Sequence, residues 1–302
     1  RGVCLKILLT GRRGQVGYEL ERTLQGLGQV IALDRAQMDL SDLDQVRSVI
    51  RELKPQLIVN PAAYTTVDLA ESEVELAMRI NAQAPEVMAL EAKKLGAAMI
   101  HYSTDYVFDG EQAGSYTEDA VPNPQSVYGR SKLAGEQAIQ AAGIPHLILR
   151  TSWVYGARGK NFLLTVRRLA AERDELRIVD DQFGAPTWCR TIAEASAHAL
   201  IQMQRYSGTK KDAELDQDVW LSRGGLYHLS AQGRTSWHGL TQAILSHPSL
   251  SKKPRLTAIS TQDYPLPARR PANSSLSCER FMQTFCGLPD WDAALKLCQD
   301  GM

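Results

Sequence analysis

The stretch Gly11-Arg12-Arg13-Gly14-Gln15-Val16-Gly17 joins an apolar run at 5–10 to a segment in which Val16, Leu20, Leu24 and Leu27 recur at helical spacing. A strand that turns through three glycines into a helix brings backbone N–H groups together at the positive end of a helix dipole, which suits a phosphate. The alternation then repeats. Apolar strands are expected at 30–34, 57–60, 98–103 and 146–151, and helices at 15–27, 42–53, 72–95 and 127–142. A β-α-β-α order of this length predicts an α/β fold, with a doubly wound, mostly parallel sheet covered by helices on both faces. The first 157 residues read as that dinucleotide-binding core. Beyond it the pattern loosens. Helices are expected at 161–173, 191–204, 236–245 and 278–285, and strands at 177–179 and 225–230. Residues 176–204 and 224–230 are expected to rejoin the core, adding a last strand or two, and 158–175 with 231–302 to form a smaller C-terminal substrate domain. The polar stretch 205–224 reads as a surface excursion.

Charge narrows the classes of partner. The 34 basic and 34 acidic residues cancel, which argues against a nucleic-acid or acidic-membrane surface. No apolar run approaches the ~20 residues that span a bilayer. The run at 3–9 carries Lys6 and reads as a first strand, so a cytoplasmic location is expected. Cys4, Cys189, Cys278, Cys286 and Cys298 are odd in number and scattered, without metal-ligand spacing; they read as reduced thiols, with no metal site.

The chemistry gathers at two further places. Tyr128 and Lys132 lie one turn apart on one helix face, so an ammonium beside the phenol would draw its pKa from about 10 toward neutrality. That would make Tyr128 a general acid or base; the plainer reading of the pair is a solvated helix face. Thr104 closes the fourth strand, whose carboxyl end faces the ligand crevice, and can donate to a substrate carbonyl or to Tyr128. His101, just before it, reads as packing. Asp34 closes the second strand, where an acid accepts from an adenosine ribose hydroxyl and favours NAD. Arg35, with Arg12 and Arg13, could instead hold a 2′-phosphate, so NADH and NADPH both stay open. Asp39 and Leu40 are placed to flank an adenine, and Ala62, Ala63 and Tyr64 follow the third strand on the cofactor side.

Together Gly11-x-x-Gly-x-x-Gly17, Ser103-Thr104-Asp105-Tyr-Val-Phe and Tyr128-x-x-x-Lys132 resemble the extended short-chain dehydrogenase/reductases. With Asp181-Gln-Phe-Gly-Ala-Pro-Thr187 and Ala268-Arg-Arg-Pro271 the chain is more closely similar to the dTDP-4-dehydrorhamnose reductase family, from about residue 5 to about residue 292. The resemblance implies NADPH- or NADH-dependent reduction of the C4 ketone of dTDP-4-dehydro-L-rhamnose. It implies Tyr128 as proton donor, Lys132 tuning it and holding the nicotinamide ribose, and Thr104 near the reacting oxygen. Gly11, Gly14, Gln15, Val16 and Gly17 would cradle the cofactor, while Asp105 and Trp153 match the family's sugar-nucleotide contacts. A diphosphate also needs cations, and Arg269 and Arg270 are the best placed in sequence. The chain departs from the family pattern at Pro61, at Tyr64 and at Trp188-Cys189-Arg190. The last replaces a smaller, acidic segment that supports a magnesium-linked dimer in some members, so this sequence does not support magnesium, and monomer and homodimer both stay open. Another nucleotide-sugar reductase or epimerase, or a cofactor-binding regulatory subunit without turnover, are the alternatives.

Overall fold

The structure, a computed structural model, describes residues 5–205, 215 and 217–302. β1 (Lys6–Leu9) leads through the glycine turn into α1 (Gln15–Thr23), β2 (Gln29–Ala32), α2 (Leu43–Leu53) and β3 (Leu57–Asn60). Next come α3 (Val67–Ala70), α4 (Val74–Met78), α5 (Ala84–Leu95), β4 (Ala98–Thr104), α6 (Val127–Ala142) and β5 (His146–Thr151). The five strands are parallel in the order β5-β4-β3-β1-β2. The chain steps to opposite sides of β1, so a crevice opens between the carboxyl ends of β1 and β3, where such a sheet takes its ligand.

Alternate side chains serve opposite faces. Ile7, Leu9, Val59, Ile100 and Leu149 pack in one core, while Leu8, Ile58, Met99 and Ile148 pack in the other with Val46 and Ile50 of α2 and Met88 of α5. Both faces are buried, which is why these strands read as unbroken apolar runs. Local chemistry sets the helix ends. The Asp42 carboxylate accepts from the Asp44 and Gln45 amides at the start of α2, and the Ser126 hydroxyl accepts from the Gly129 amide at the start of α6.

One helix was expected over 72–95; the structure divides it by a π-helical turn at Arg79–Gln83. Pro85 has no N–H to give the Asn81 carbonyl four residues back, so the α-helical ladder cannot close there. That carbonyl faces Gly135 of α6, where a Cβ would lie 2.1 Å from it.

The second half runs β6 (Val154–Tyr155), α7 (Phe162–Glu172), β7 (Glu175–Val179), β8 (Phe183–Gly184), β9 (Thr187–Trp188) and α8 (Cys189–Arg205). It continues with α9 (Gln217–Arg223), β10 (Gly225–His228), β11 (Thr235–Ser236), α10 (Trp237–Ser246), β12 (Arg255–Ile259), α11 (Glu279–Thr284) and α12 (Trp291–Asp300). β10 pairs with β5 as the sixth parallel strand, and α8 contributes Ile192, Ala199 and Leu200 to the core that also holds Leu20 of α1. β7 pairs with β12, β8 with β11 and β9 with β6, each outside the large sheet. Of the segment 176–204, therefore, α8 packs on the sheet while β7 keeps company with β12. A separate core of Tyr155, Leu163, Val166, Leu240, Ile244 and Leu295 lies among these elements. Of the polar stretch 205–224, residues 206–214 and 216 lie outside the described residues, as does Cys4.

Candidate active site

The glycine corner is set by close backbone approach. Gly11 has φ +62°, and a Cβ there would lie 2.9 Å from the Ala62 Cβ, so the turns after β1 and β3 touch. A Cβ on Gly17 would lie 2.1 Å from the Gly11 carbonyl oxygen. This cradle has the shape a dinucleotide pyrophosphate needs, with the N-terminus of α1 behind it. Asp34 is buried at the end of the second strand's path; its Oδ2 meets Arg13 Nε at 2.8 Å and its Oδ1 accepts from the Ala36 amide at 3.0 Å. Arg12 turns away to Glu21 at 2.8 Å, and Arg35 to Asp39 at 3.1 Å. Burial works against the Asp39 carboxylate, yet hydrogen bonds from Ser41 and Arg35 outweigh it and lower its pKa. Leu40 is buried beside it. A cleft of about 530 Å³ opens at this corner, lined by Arg13, Gly14, Gln15, Tyr18 and Arg158 among others.

Behind Ala62 and Ala63 the loop is tied down. The Tyr64 amide donates to Asn81 Oδ1 at 2.8 Å, and Asn81 Nδ2 donates to the Tyr64 carbonyl and to Ser131 Oγ, both at 3.0 Å. Asn81 sits in the π-turn, so the break in the expected helix joins the cofactor-side loop to α6. The Tyr64 hydroxyl donates to Glu73 at 2.7 Å; burial first, then that carboxylate, pushes it up to about 12.

At the reacting end, α6 carries Tyr128 and Lys132, and β4 ends on Thr104 and Asp105. The arrangement corrects the expectation for the pair. Lys132 is buried, and its Nζ donates to the Tyr102 carbonyl at 2.6 Å and lies 3.3 Å from His101 Nε2. Burial pushes Lys132 down to about 8, with Glu136 resisting. The phenol is not drawn toward neutrality: burial pushes Tyr128 up to about 12, Thr104 pulls it back and the Asp105 carboxylate pushes it further up. The ammonium is held on the strand side by the Tyr102 carbonyl, and burial is what keeps the proton on Tyr128. His101 is also more than packing, since it is buried in contact with Lys132 and Asn60.

Thr104 Oγ1 donates to Asp105 Oδ1 at 3.0 Å and accepts from the Tyr106 amide at 3.2 Å. Burial lifts the Asp105 carboxyl to about 7 against the pull of Ser274 and Thr104. Asp105 Oδ2, Ser103 Oγ and Thr151 Oγ1 are buried without a hydrogen-bond partner among the described residues, and all lie at the carboxyl ends of β4 and β5. Unpaired buried polar atoms cost about 1–3 kcal/mol each; Arg150 Nη1, Tyr155 Oη, His228 Nε2 and Ser275 Oγ are in the same state among the described residues.

On the far side, Trp153 takes a left-handed φ of +47° and stacks on Trp237, with ring centroids 3.6 Å apart and planes 2° from parallel. Gly184 packs against that indole; a Cβ there would lie 2.6 Å from Trp153 Cε2. Trp237 carried no motif in the sequence beyond following the Ser236 cap. The two arginines expected at a diphosphate part company. The Arg270 fork is taken by Asp68 of α3, at 3.0 and 2.8 Å, and Asp68 also accepts from the Ala268 amide at 3.1 Å. Arg269 remains exposed, reaching Gln125 at 3.2 Å. Asn81 and Trp237, which join these elements, were not singled out by the sequence. Among the described residues no group of three or more His, Cys, Asp or Glu side chains stands together in a way that could hold a metal.

Residues 5–302 match the family model of the RmlD substrate binding domain. The chain is similar to a dTDP-4-dehydrorhamnose reductase of Burkholderia thailandensis, 45% identical over 97% of this chain and 98% of the relative. It is 44% identical to a dTDP-4-dehydrorhamnose reductase of Escherichia coli, over 97% of this chain and 96% of the relative. Among solved structures it is similar to a dTDP-4-dehydrorhamnose reductase of Bacillus anthracis in complex with NADP, with a TM-score of 0.86, 32% identity and coverage of 98% and 99% of the two chains.

Proposed function

The chain belongs to the RmlD substrate binding domain family, that of the dTDP-4-dehydrorhamnose reductases, and on that premise we propose that Tyr128, Lys132 and Thr104 carry out its reaction. It is an oxidoreductase that reduces the C4 ketone of dTDP-4-dehydro-L-rhamnose to dTDP-L-rhamnose with NADPH or NADH. The observation that carries the residue assignment is the meeting, on one sheet edge beside the glycine corner, of a protonated phenol, a buried ammonium and unpaired hydroxyl and carboxyl oxygens.

When bound, the reduced nicotinamide supplies the hydride. Gly11, Gly14, Gln15, Val16 and Gly17 would hold the pyrophosphate, Asp34 and Arg13, paired at 2.8 Å, would face the adenosine ribose, and Lys132 would hold the nicotinamide ribose. Both members of the Asp34–Arg13 pair suit a ribose substituent: the carboxylate a hydroxyl, the guanidinium a phosphate. Tyr128 gives its proton to the oxygen developing at C4, and a phenol held near 12 is fully charged with that proton at neutral pH. The Lys132 ammonium then stabilises the phenolate left behind. Thr104 orients the ketone oxygen, and Asp105 Oδ2 accepts from a sugar hydroxyl. Trp153 flanks the sugar nucleotide and Arg269 meets its diphosphate. The core at 1–157 with α8 and β10 serves the cofactor, and 158–175 with 231–302 serves the substrate, in the cytoplasm.

The test is turnover of purified protein on dTDP-, UDP- and GDP-linked 4-keto sugars with each cofactor. Tyr128→Phe lowers kcat by a factor on the order of 10² or more, with cofactor affinity retained. A kcat equal to that of the parent would remove Tyr128 from the role of proton donor.

A further inference from the structure

Beneath the site a buried row of polar side chains leads to Lys132, and the reaction as described uses only that last member. Thr10 Oγ1 lies 2.7 Å from Asn60 Oδ1, Asn60 Nδ2 lies 3.1 Å from His101 Nδ1, and His101 Nε2 lies 3.3 Å from Lys132 Nζ. Thr10, Asn60, His101 and Lys132 are each at most 2% exposed. The row has a strict geometric basis. Asn60 and His101 are in-register partners on β3 and β4, and Thr10 follows β1 directly before Gly11. Its Oγ1 also accepts from the Ala62 amide at 3.4 Å. The row therefore begins at the glycine corner and ends at the catalytic helix.

We infer that His101 is a positioning residue for Lys132, its neutral ring accepting the ammonium at Nε2 while Asn60 holds the proton of Nδ1. The inference rests on the roles proposed above for Lys132 and Tyr128. Lysine has three N–H donors. Two of them are fixed here, on the Tyr102 carbonyl and on His101, so the direction of the third is set as well. Without the imidazole, a buried ammonium would hold one strong acceptor and be free to turn about it.

Proton accounting decides the state of the ring. An Asn60 amide that donates to Nδ1 would force the ring proton onto Nε2, where it would meet the ammonium donor to donor at 3.3 Å, too close to admit a water. Turning the amide through 180° resolves this at no cost in shape, since its oxygen and nitrogen are nearly the same size. Nδ1–H then donates to Oδ1, Nδ2 donates to Thr10 Oγ1, and Nε2 is left with its lone pair for Lys132. Burial first, then the Lys132 charge, press the imidazolium pKa far below 6.5, which keeps the ring neutral. Among the described residues the charge that acts on Lys132 is that of Glu136, on the same helix and itself forked by the Arg150 guanidinium of β5 at 2.9 and 2.6 Å.

Nitrogen NMR of the histidine-labelled wild-type protein at pH 7 reads the ring without any turnover. The expected result is a neutral His101 with its proton on Nδ1 and an unprotonated Nε2. A proton on Nε2, or an imidazolium, overturns the inference whatever the activity. The kinetic arm compares His101→Leu with His101→Gln. Loss of the acceptor lowers kcat by about 10- to 100-fold, the scale of a lost hydrogen bond to a charged group. It also makes the ammonium easier to deprotonate, so the alkaline limb that Lys132 contributes to the kcat profile moves to lower pH. His101→Gln, whose Oε1 still accepts, recovers most of kcat and returns the limb. A leucine variant that only melts earlier, with kcat and pH profile unmoved, gives His101 a purely structural part. Should the Nδ1–H tautomer be found in a protein that reduces none of the keto sugars, the catalytic reading falls and the His101–Lys132 contact stands.

Discussion

The two walls of the cleft are built differently. On the cofactor wall the shape is backbone: Gly11 and Gly17 close on their neighbours to within contact, and Asn60, His101 and Lys132 are buried behind them. On the wall proposed for the substrate the surface is side chain: the Arg269 side chain is 65% exposed, and Tyr264 and Leu266, close before it in sequence, are 57% and 39% exposed. A cofactor common to many reactions is met by a surface that is complete before it arrives. On the proposed assignment the sugar nucleotide, which must be told from its relatives, would be met by groups still in water. Loops that carry selectivity on a rigid scaffold follow this division generally.

The comparison breaks first at Gly17. A Cβ there would meet the Gly11 carbonyl at 2.1 Å, and the obstacle is backbone rather than the tip of a side chain. Gly17→Ala can be accommodated only by opening the turn, so affinity for NADPH and NADH falls by a factor on the order of 10², as expected when forced repacking costs a few kcal/mol. Gly26→Ala, where nothing lies within 4 Å, is the matched control and binds as the parent does. Fluorescence titration of either cofactor measures both. Parent-like binding by Gly17→Ala would mean that the cofactor wall is adaptable after all.

The same division explains what could be read in advance. Strand and helix order, the glycine turn and the Tyr128–Lys132 spacing were legible because each is local: apolar periodicity, turn chemistry and the one-turn separation on a helix need no knowledge of the fold. The π-turn at 79–83 was not, because the missing N–H of Pro85 breaks a helix only where a neighbour accepts the freed carbonyl, and here Gly135 leaves it room. The direction of the Lys132 ammonium was misjudged for a related reason. Spacing puts it on the face of Tyr128, but the buried acceptors that claim it, Tyr102 O and His101, come from β4. Arg269 and Arg270 are adjacent in sequence and alike in chemistry; only Asp68, two hundred and two residues before Arg270, separates their roles.

That pair is where the two walls join, and it yields the second prediction. Arg270 and Asp68 are both only partly exposed, at 18% and 34% of their side chains, and they pin the strap at 264–270 to α3. Asp68→Asn frees the strap while leaving the glycine corner alone. KM for the nucleotide sugar rises about tenfold and the cofactor Kd stays put, the scale of one lost charge-assisted pair. The Asp68 pKa is lowered, chiefly by its hydrogen bond with Arg270, so the sign is fixed. The pair's contribution to stability is complete above the ordinary aspartate value of 3.8 and fades as pH falls through the lower folded value. Thermal melts of the parent and the variant accordingly converge in acid. A change of cofactor affinity equal to the change in KM would show the two walls to be one unit.

The smallest effect separates chemistry from selectivity within the substrate wall. Arg269 is a guanidinium in water with Gln125 as its hydrogen-bond partner, so its attraction to a diphosphate is screened and worth about 0.5–1 kcal/mol. Arg269→Ala then raises KM by a factor of roughly 2–5, leaves kcat unchanged and makes KM less sensitive to salt. The diphosphate is the same in dTDP- and UDP-linked sugars, so the factor must be the same for both. An Arg269 that instead touched the base would change their ratio, and the selectivity would then lie on this exposed arm rather than near the stacked indoles of Trp153 and Trp237. Measuring the ratio at two salt concentrations decides between a wall that merely attracts the sugar nucleotide and one that reads it.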